Sequence, residues 1–319
     1  MEARAARATF KQNRPMPSAD HTMLPPRQLP RGDEIFLDHV GHFVADPQAA
    51  GAALIRAGFA PAPVSIQVNQ DPAGGPPRPT GTGNVCAMLR AGYVEVLFKT
   101  ADTPLGAEFE AARARYEGLH LVAFAVADAT TQHNRLASAG FPMQPLVKLQ
   151  RPVETAAGPG TAAFDVVRVT AGAMPEGRVQ MLLHRTEAAV WQPRWLDHPN
   201  TATGLRALTI VVADIDEAAA RFARFTGRPA MPIEGGHRIA LDRGWIDLVN
   251  PAQWRRTWPG VPIPAVPFMG ECTIEVQSPS TAERSVREAG LTVLQSRSGL
   301  SVLFPAALGT GVWTFAPAP

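Results

Sequence analysis

Apolar and polar residues alternate along four stretches of the chain, and each stretch then gives way to a helical period. The first runs from Leu37 to Val44 and stops at Asp46-Pro47. Asp46 suits a helix N-cap, Pro47 a first turn and Gly58 a left-handed C-terminal position, so the pattern predicts a strand followed by a helix to about Ala57. Leu119 to Asp128 with Gly140, Leu205 to Asp214 with Gly227, and Glu271 to Ser278 with Gly290 repeat this grammar. Each copy closes on a further alternating strand entered through a glycine: Gly92 to Phe98, Gly177 to Leu183, Gly244 to Val249 and Gly311 to Phe315. Four β-α-β-β-β modules account for residues 34–316 and give an α+β fold class. The period is too long for a solenoid repeat, which favours stacked pairs of modules.

Alternation also sorts side chains by face. Val94, Val96 and Phe98 form an apolar face expected to lie under a helix, while Tyr93, Glu95, Leu97 and Lys99 line the opposite, concave side. The matching concave row of the second module is Arg178, Gln180, Leu182 and His184. Counting seven residues back from each helix cap selects His39, Leu121, Ala207 and Glu271; the third residue after each strand-opening glycine is Glu95, Gln180, Asp247 or Thr314. His120 stands one residue off this row. Strict alternation turns it toward the helices, and only a bulge at the strand start brings it inward.

The segments Leu37-Asp-His-Val with Val44-Ala-Asp46, Gly81-Thr-Gly-Asn84 and Gly92-Tyr-Val-Glu-Val96, in this order and with fourfold recurrence of the module, resemble the vicinal oxygen chelate superfamily, in particular its glyoxalase-like proteins. The resemblance implies two tandem glyoxalase-like domains, residues 34–190 and 191–319. It implies a divalent metal (Zn, Mn, Fe or Ni) held by His39, Glu95 and His120, with the metal chelating vicinal oxygens of a small oxygenated metabolite in a lyase or isomerase reaction. Glu95 and His184 are the expected acid–base groups, and Tyr93, Arg178, Gln180 and His198 the expected substrate contacts. Leu121, standing where a fourth ligand belongs, motivates the alternative of a metal-free binding protein. An extradiol-type dioxygenase is a further alternative, although no histidine stands at the corresponding positions of the second half.

Composition narrows the classes. The chain of 319 residues is 45% hydrophobic and 18% charged, which suits a packed protein rather than a disordered one. Two cysteines make no disulfide framework, and the longest apolar run, Leu121 to Ala127, is far short of a membrane span. The net charge of +2 gives no reason to expect nucleic acid. Residues 1–33 read as a basic, disordered tail whose removal leaves a slightly acidic body. A cytoplasmic monomer or homodimer without a membrane partner is expected. Residues 71–79 read as a long loop or lid, and 151–160 as a second loop. Residues 191–200 read as the connection between halves, from which His198 would reach over the concave site.

Overall fold

The computed structural model describes residues 27–318 apart from 70, 72 and 296–298. The first module comprises β1 (Ile35–Phe43), α1 (Pro47–Arg56), β2 (Ser65–Asn69), β3 (Arg78–Met88) and β4 (Tyr93–Lys99). Helix α2 (Pro104–Arg115) leads into β5 (Gly118–Val126), α3 (Ala129–Ser138), β6 (Val147–Thr155), β7 (Gly158–Arg168) and β8 (Arg178–His184). After the short α4 (Glu187–Val190) come β9 (Ala202–Val211), α5 (Ile215–Thr226), β10 (Ala230–Ile233), β11 (Gly236–Ala240) and β12 (Trp245–Val249). Helix α6 (Pro251–Thr257) precedes β13 (Phe268–Val276), α7 (Pro279–Glu288), β14 (Val293–Leu294), β15 (Leu300–Leu303) and β16 (Val312–Pro317). The strand-helix-strand-strand-strand order thus recurs four times.

Local chemistry fixes the module ends. Asp46 accepts hydrogen bonds from the Gln48 and Ala49 amides, and Asp128, Asp214 and Ser278 cap α3, α5 and α7 in the same way. Within each module the first and last strands pair in parallel. The glycine opening each last strand permits that pairing. Gly92, Gly177, Gly244 and Gly311 all have positive φ, and a Cβ at Gly92 would lie 2.4 Å from the Asp38 carbonyl oxygen. At the other three it would meet the backbone oxygen of His120, Arg206 or Gly270.

The two halves close differently. In the first, the strand path runs β1-β4-β3-β2-β6-β7-β8-β5, and an additional β5–β1 pairing joins its ends into an eight-stranded barrel. In the second, β9 and β13 pair antiparallel at the centre of the sheet, with β10 and β14 at its outer ends among the described residues. The 151–160 stretch is the tip of the β6–β7 hairpin rather than a loop: its prolines and glycines face a tight turn without interrupting the pairing.

One core joins the halves. Val94, Val96 and Phe98 pack outward with Ala50 and Leu54 of α1, as the alternation predicts, and the same apolar cluster continues through Leu136, Phe222, Phe225, Val286 and Trp313. Phe59 meets the Trp313 ring at a centroid distance of 5.5 Å, and Phe124 meets Phe225 at 6.0 Å. The buried pair Arg221–Glu176, at 2.7 Å, also crosses the junction. Residues 1–26 of the expected tail lie outside the described residues. Residues 27–33 are anchored: Arg27 pairs with Glu34 at 2.7 Å, and its carbonyl accepts from Arg243. No helix of the described residues is long and apolar enough to cross a membrane.

Candidate active site

The interior of the first barrel holds the polar cluster. His39 on β1, Gln67 on β2, Asn84 on β3, Tyr93 and Glu95 on β4, and Gln180 and Arg178 on β8 all line one small cavity, with Arg151 and Arg168 from the β6–β7 hairpin. Every strand of the barrel contributes at least one lining residue. Leu121, Phe164, Val166 and Leu182 form the apolar part of its wall.

A line of hydrogen bonds runs through this interior. Asp38, fully buried, accepts from His39 Nδ1 at 2.6 Å and from His184 Nε2 at 2.9 Å. Burial opposes its ionisation, but the charges and hydrogen bonds of His184 and His39 outweigh that and hold Asp38 well below the usual carboxylate range. With Nδ1–H committed to Asp38, His39 turns Nε2 toward the cavity, where Glu95 Oε2 stands 3.5 Å away. Glu95 Oε1 is held by the Asn84 amide at 2.6 Å and the Gln67 amide at 3.4 Å, and Gln67 is itself held by Thr82 at 2.7 Å. Tyr93 stacks on the His39 ring with centroids 4.3 Å apart and an interplanar angle of 17°. Burial, ahead of the negative neighbours Asp38 and Glu95, pushes its phenol well above the usual value, so it remains protonated. Two carboxylates, two imidazoles and a phenol are thus fixed in one orientation.

Asp38 is the central residue that alternation misses. In the β1–β5 register Leu37 opposes Phe124 and His39 opposes Ala123, so Asp38 is the extra residue of a bulge. A bulge places consecutive side chains on the same side of a sheet, and here it brings both Asp38 and His39 inward. A second register shift, from Gly41 opposite Leu121 to His42 opposite Leu119, makes His120 itself the extra residue of a bulge on β5, yet this bulge does not turn its ring into the cup. His120 instead faces the helix side, with Nε2 donating to the Tyr116 carbonyl at 2.7 Å and its ring stacked on Tyr116 at 3.9 Å. It therefore contributes nothing to the cavity, and the three-ligand set His39, Glu95 and His120 is not assembled.

His198 is also placed elsewhere. Its Nδ1 accepts from the Ala60 amide at 2.9 Å and its Nε2 donates to the Met88 carbonyl at 2.7 Å, so both ring nitrogens tie the connection to the first module. His184 sits inside the barrel, but behind Asp38 rather than on the cavity wall; it is packed against Trp191 at 4.5 Å and Phe164 at 5.1 Å. Its Nε2 orients Asp38, while its Nδ1 is buried without a hydrogen-bond partner among the described residues. Tyr93, Arg178 and Gln180 stand where alternation places them.

The donor set does not fit a resident transition metal. His39 Nε2 and Glu95 Oε2, 3.5 Å apart, have a separation suited to two ligands of one ion, but the other positions are filled by Leu121 and by Gln180, whose Oε1 accepts from Arg168 at 3.0 Å. No cluster of three or more His, Cys, Asp or Glu side chains suited to a metal occurs among the described residues. Three guanidiniums facing the same space would repel a divalent cation.

At the equivalent positions of the second half, the polar side chains are tied to neighbouring side chains. Glu271 accepts from Thr314 at 2.6 Å, Thr209 at 3.2 Å and Trp258 Nε1 at 3.2 Å, and Asp247 is clamped by Arg238 through two bonds of 2.7 Å. Trp254 and Trp258, carried on and just after α6, fill the concave side with Phe268 and Val312.

Comparison with known proteins agrees with this architecture. The family model described as a glyoxalase-like domain matches residues 37–226, more than half of the chain. Among solved structures, a hypothetical protein from Staphylococcus aureus superposes with a TM-score of 0.60 at 9% identity, covering 89% of this chain and 100% of that one. A substituted variant of 4-hydroxymandelate synthase from Streptomyces coelicolor superposes with a TM-score of 0.53 at 15% identity, covering 90% and 94% of the two chains. At these identities the likeness concerns the fold alone. No curated protein sequence matches the chain significantly.

Proposed function

Because the chain belongs to the glyoxalase-like domain family and its first barrel buries an Asp38–His39–Glu95 line, we propose that it is an enzyme performing proton transfer on a small oxygenated metabolite, of the lyase or isomerase type. The observation that carries this reading is the orientation of His39. Asp38 takes Nδ1–H, which leaves Nε2 as the basic atom facing the cavity.

The proton transfer follows from that orientation. A C–H next to the substrate carbonyl gives its proton to His39 Nε2; the C–H bond breaks, an N–H bond forms, and the electron pair moves onto the carbonyl oxygen. Asp38 stabilises the resulting imidazolium, as a buried carboxylate does in other His-dependent sites. The cavity guanidiniums stabilise the developing oxyanion in a site from which water is largely excluded. The proton then returns to carbon or to a leaving group, with Glu95 Oε2 beside Nε2 able to share it. The metal-dependent form implied by the resemblance would need a third protein ligand beside His39 and Glu95.

The test is solvent exchange. Short-chain 2-oxo and 3-oxo acids are incubated with the protein in D2O, and deuterium at the carbon next to the carbonyl is followed by NMR. Wild-type protein is expected to exchange at least one member of the panel, and His39→Gln to lose that exchange while remaining folded. Equal exchange by wild type and His39→Gln would overturn the assignment.

A further inference from the structure

The barrel contains cations that no carboxylate pairs at salt-bridge distance among the described residues. Arg151, Arg168 and Arg178 all line the inner cavity, yet among the described residues none makes a salt bridge. Among the described residues the Arg168 side chain hydrogen-bonds the neutral Gln180 amide alone, and Arg178 lies over the Phe43 ring at 5.3 Å. Burial lowers Arg168 to about 9 and lowers Arg178 as well; Glu108, which lines the outer cleft, and Glu95, which lines the inner cavity, oppose the shift without forming a salt bridge to either. Keeping unpaired guanidiniums in a desolvated site is costly unless a ligand supplies the missing charge.

Size adds a second constraint. The inner cavity measures about 30 Å³, space for one or two water-sized groups. It can take the reacting head of a metabolite and not its body. Outside it lies a cleft of about 310 Å³ walled by Phe43, Ala112, Val169, Met174 and Val179, within the range of small-molecule sites. Arg168 and Arg178 line both spaces. A second cleft, of about 260 Å³, shares Arg151 alone with the inner cavity.

We propose that the ligand is an amphipathic carboxylic acid, its carboxylate bound between Arg168 and Arg178 and its apolar body lying in the outer cleft beside Phe43 and Ala112. A planar carboxylate matches the guanidinium fork, and the mainly aliphatic cleft favours a hydrocarbon or aryl body. This rests on the proton-transfer reading only for the identity of the reacting end, since the charge and size arguments stand without it.

Calorimetric titration of the full chain with octanoate, 3-phenylpropanoate, acetate, 3-phenylpropanol and phenylphosphonate tests it. Octanoate and 3-phenylpropanoate are expected to bind at least about tenfold tighter than acetate and than the alcohol. Arg168→Gln and Arg178→Gln should each weaken the long acids by roughly tenfold or more, with Arg178→Lys recovering part of the loss. Ala112→Trp should lower the octanoate-to-acetate affinity ratio, and Ala189→Trp, in the second cleft, should leave that ratio unchanged. Circular dichroism confirms that each variant is folded. Equal affinity for acid and alcohol, tighter binding of phenylphosphonate than of the acids, insensitivity to both glutamine variants, or a ratio that responds to Ala189→Trp rather than Ala112→Trp would each overturn the proposal. Acid binding that survives His39→Gln with no exchange in wild type would uphold this inference while removing the proton-transfer reading. Exchange that ignores Arg168 and Arg178 would do the reverse.

Discussion

Asparagine at position 38 separates orientation from packing. The side chain keeps its shape, but its amide nitrogen now faces one of two imidazole N–H groups that Asp38 receives at 2.6 and 2.9 Å. The conflict is relieved only if one imidazole changes tautomer and accepts from the amide. One charge-assisted hydrogen bond is then replaced by a neutral one and the other is weakened, at a cost of about 2–3 kcal/mol. For a chain of this size that lowers Tm by roughly 3–5 °C. If His39 is the ring that changes, Nε2 becomes protonated and is no longer a base, and exchange falls on the order of 10³–10⁴-fold, as for the wrong tautomer in a Ser-His-Asp site. Thermal unfolding and deuterium exchange, measured on the same preparation, check both parts. Because the folded-state value of Asp38 lies below the usual range, its stabilisation is complete above about pH 4 and is lost as pH falls further, so the Tm gap between wild type and Asp38→Asn narrows in acid. Exchange by Asp38→Asn within tenfold of wild type would refute the assigned orientation of His39.

Three further outcomes follow from buried histidines. Burial lowers both His42 and His120 to about 4, so the unfolded chain binds more protons than the folded one between about pH 6.5 and 4; stability measured by urea unfolding should fall across that interval, by up to about 3 kcal/mol for each group, and the contribution should level off below it. His120→Ala should cost about 2–4 kcal/mol through the lost Tyr116 stack and hydrogen bond, yet leave octanoate affinity within twofold of wild type in the same titration. His198→Ala leaves the Met88 carbonyl and the Ala60 amide without their partner and should cost about 2–4 kcal/mol in chemical denaturation, with proton exchange retained under native conditions.

Much of the fold is legible in local chemistry because each module carries its own punctuation. Asp46-Pro47 and Ser278-Pro279 set helix starts, and Gly92, Gly177, Gly244 and Gly311 open last strands where a Cβ would meet the first strand. The inward row of Tyr93, Glu95, Arg178 and Gln180 follows from a period of two. Closure of the barrel does not, since the β1–β5 and β2–β6 pairings join residues far apart in the chain. Asp38 is hidden because one inserted residue reverses the expected side. Arg151 is hidden because the prolines and glycines of residues 151–160 resemble a loop, although they lie in the paired strands of a hairpin. Tryptophans from α6 close the second concave face, and nothing in the module pattern marks a segment between modules as its plug.

The choice between proton transfer by the chain's own groups and metal chelation is decided by exchange after chelation. Protein treated with EDTA, its metal content measured by mass spectrometry, is assayed for deuterium incorporation into the best-exchanged acid, with and without added Zn, Mn, Fe or Ni. Exchange should persist unchanged with less than about a tenth of an equivalent of metal bound, since His39 and Glu95 form only a two-ligand set. Loss of exchange on chelation, with recovery on adding one of these ions stoichiometrically, would contradict it.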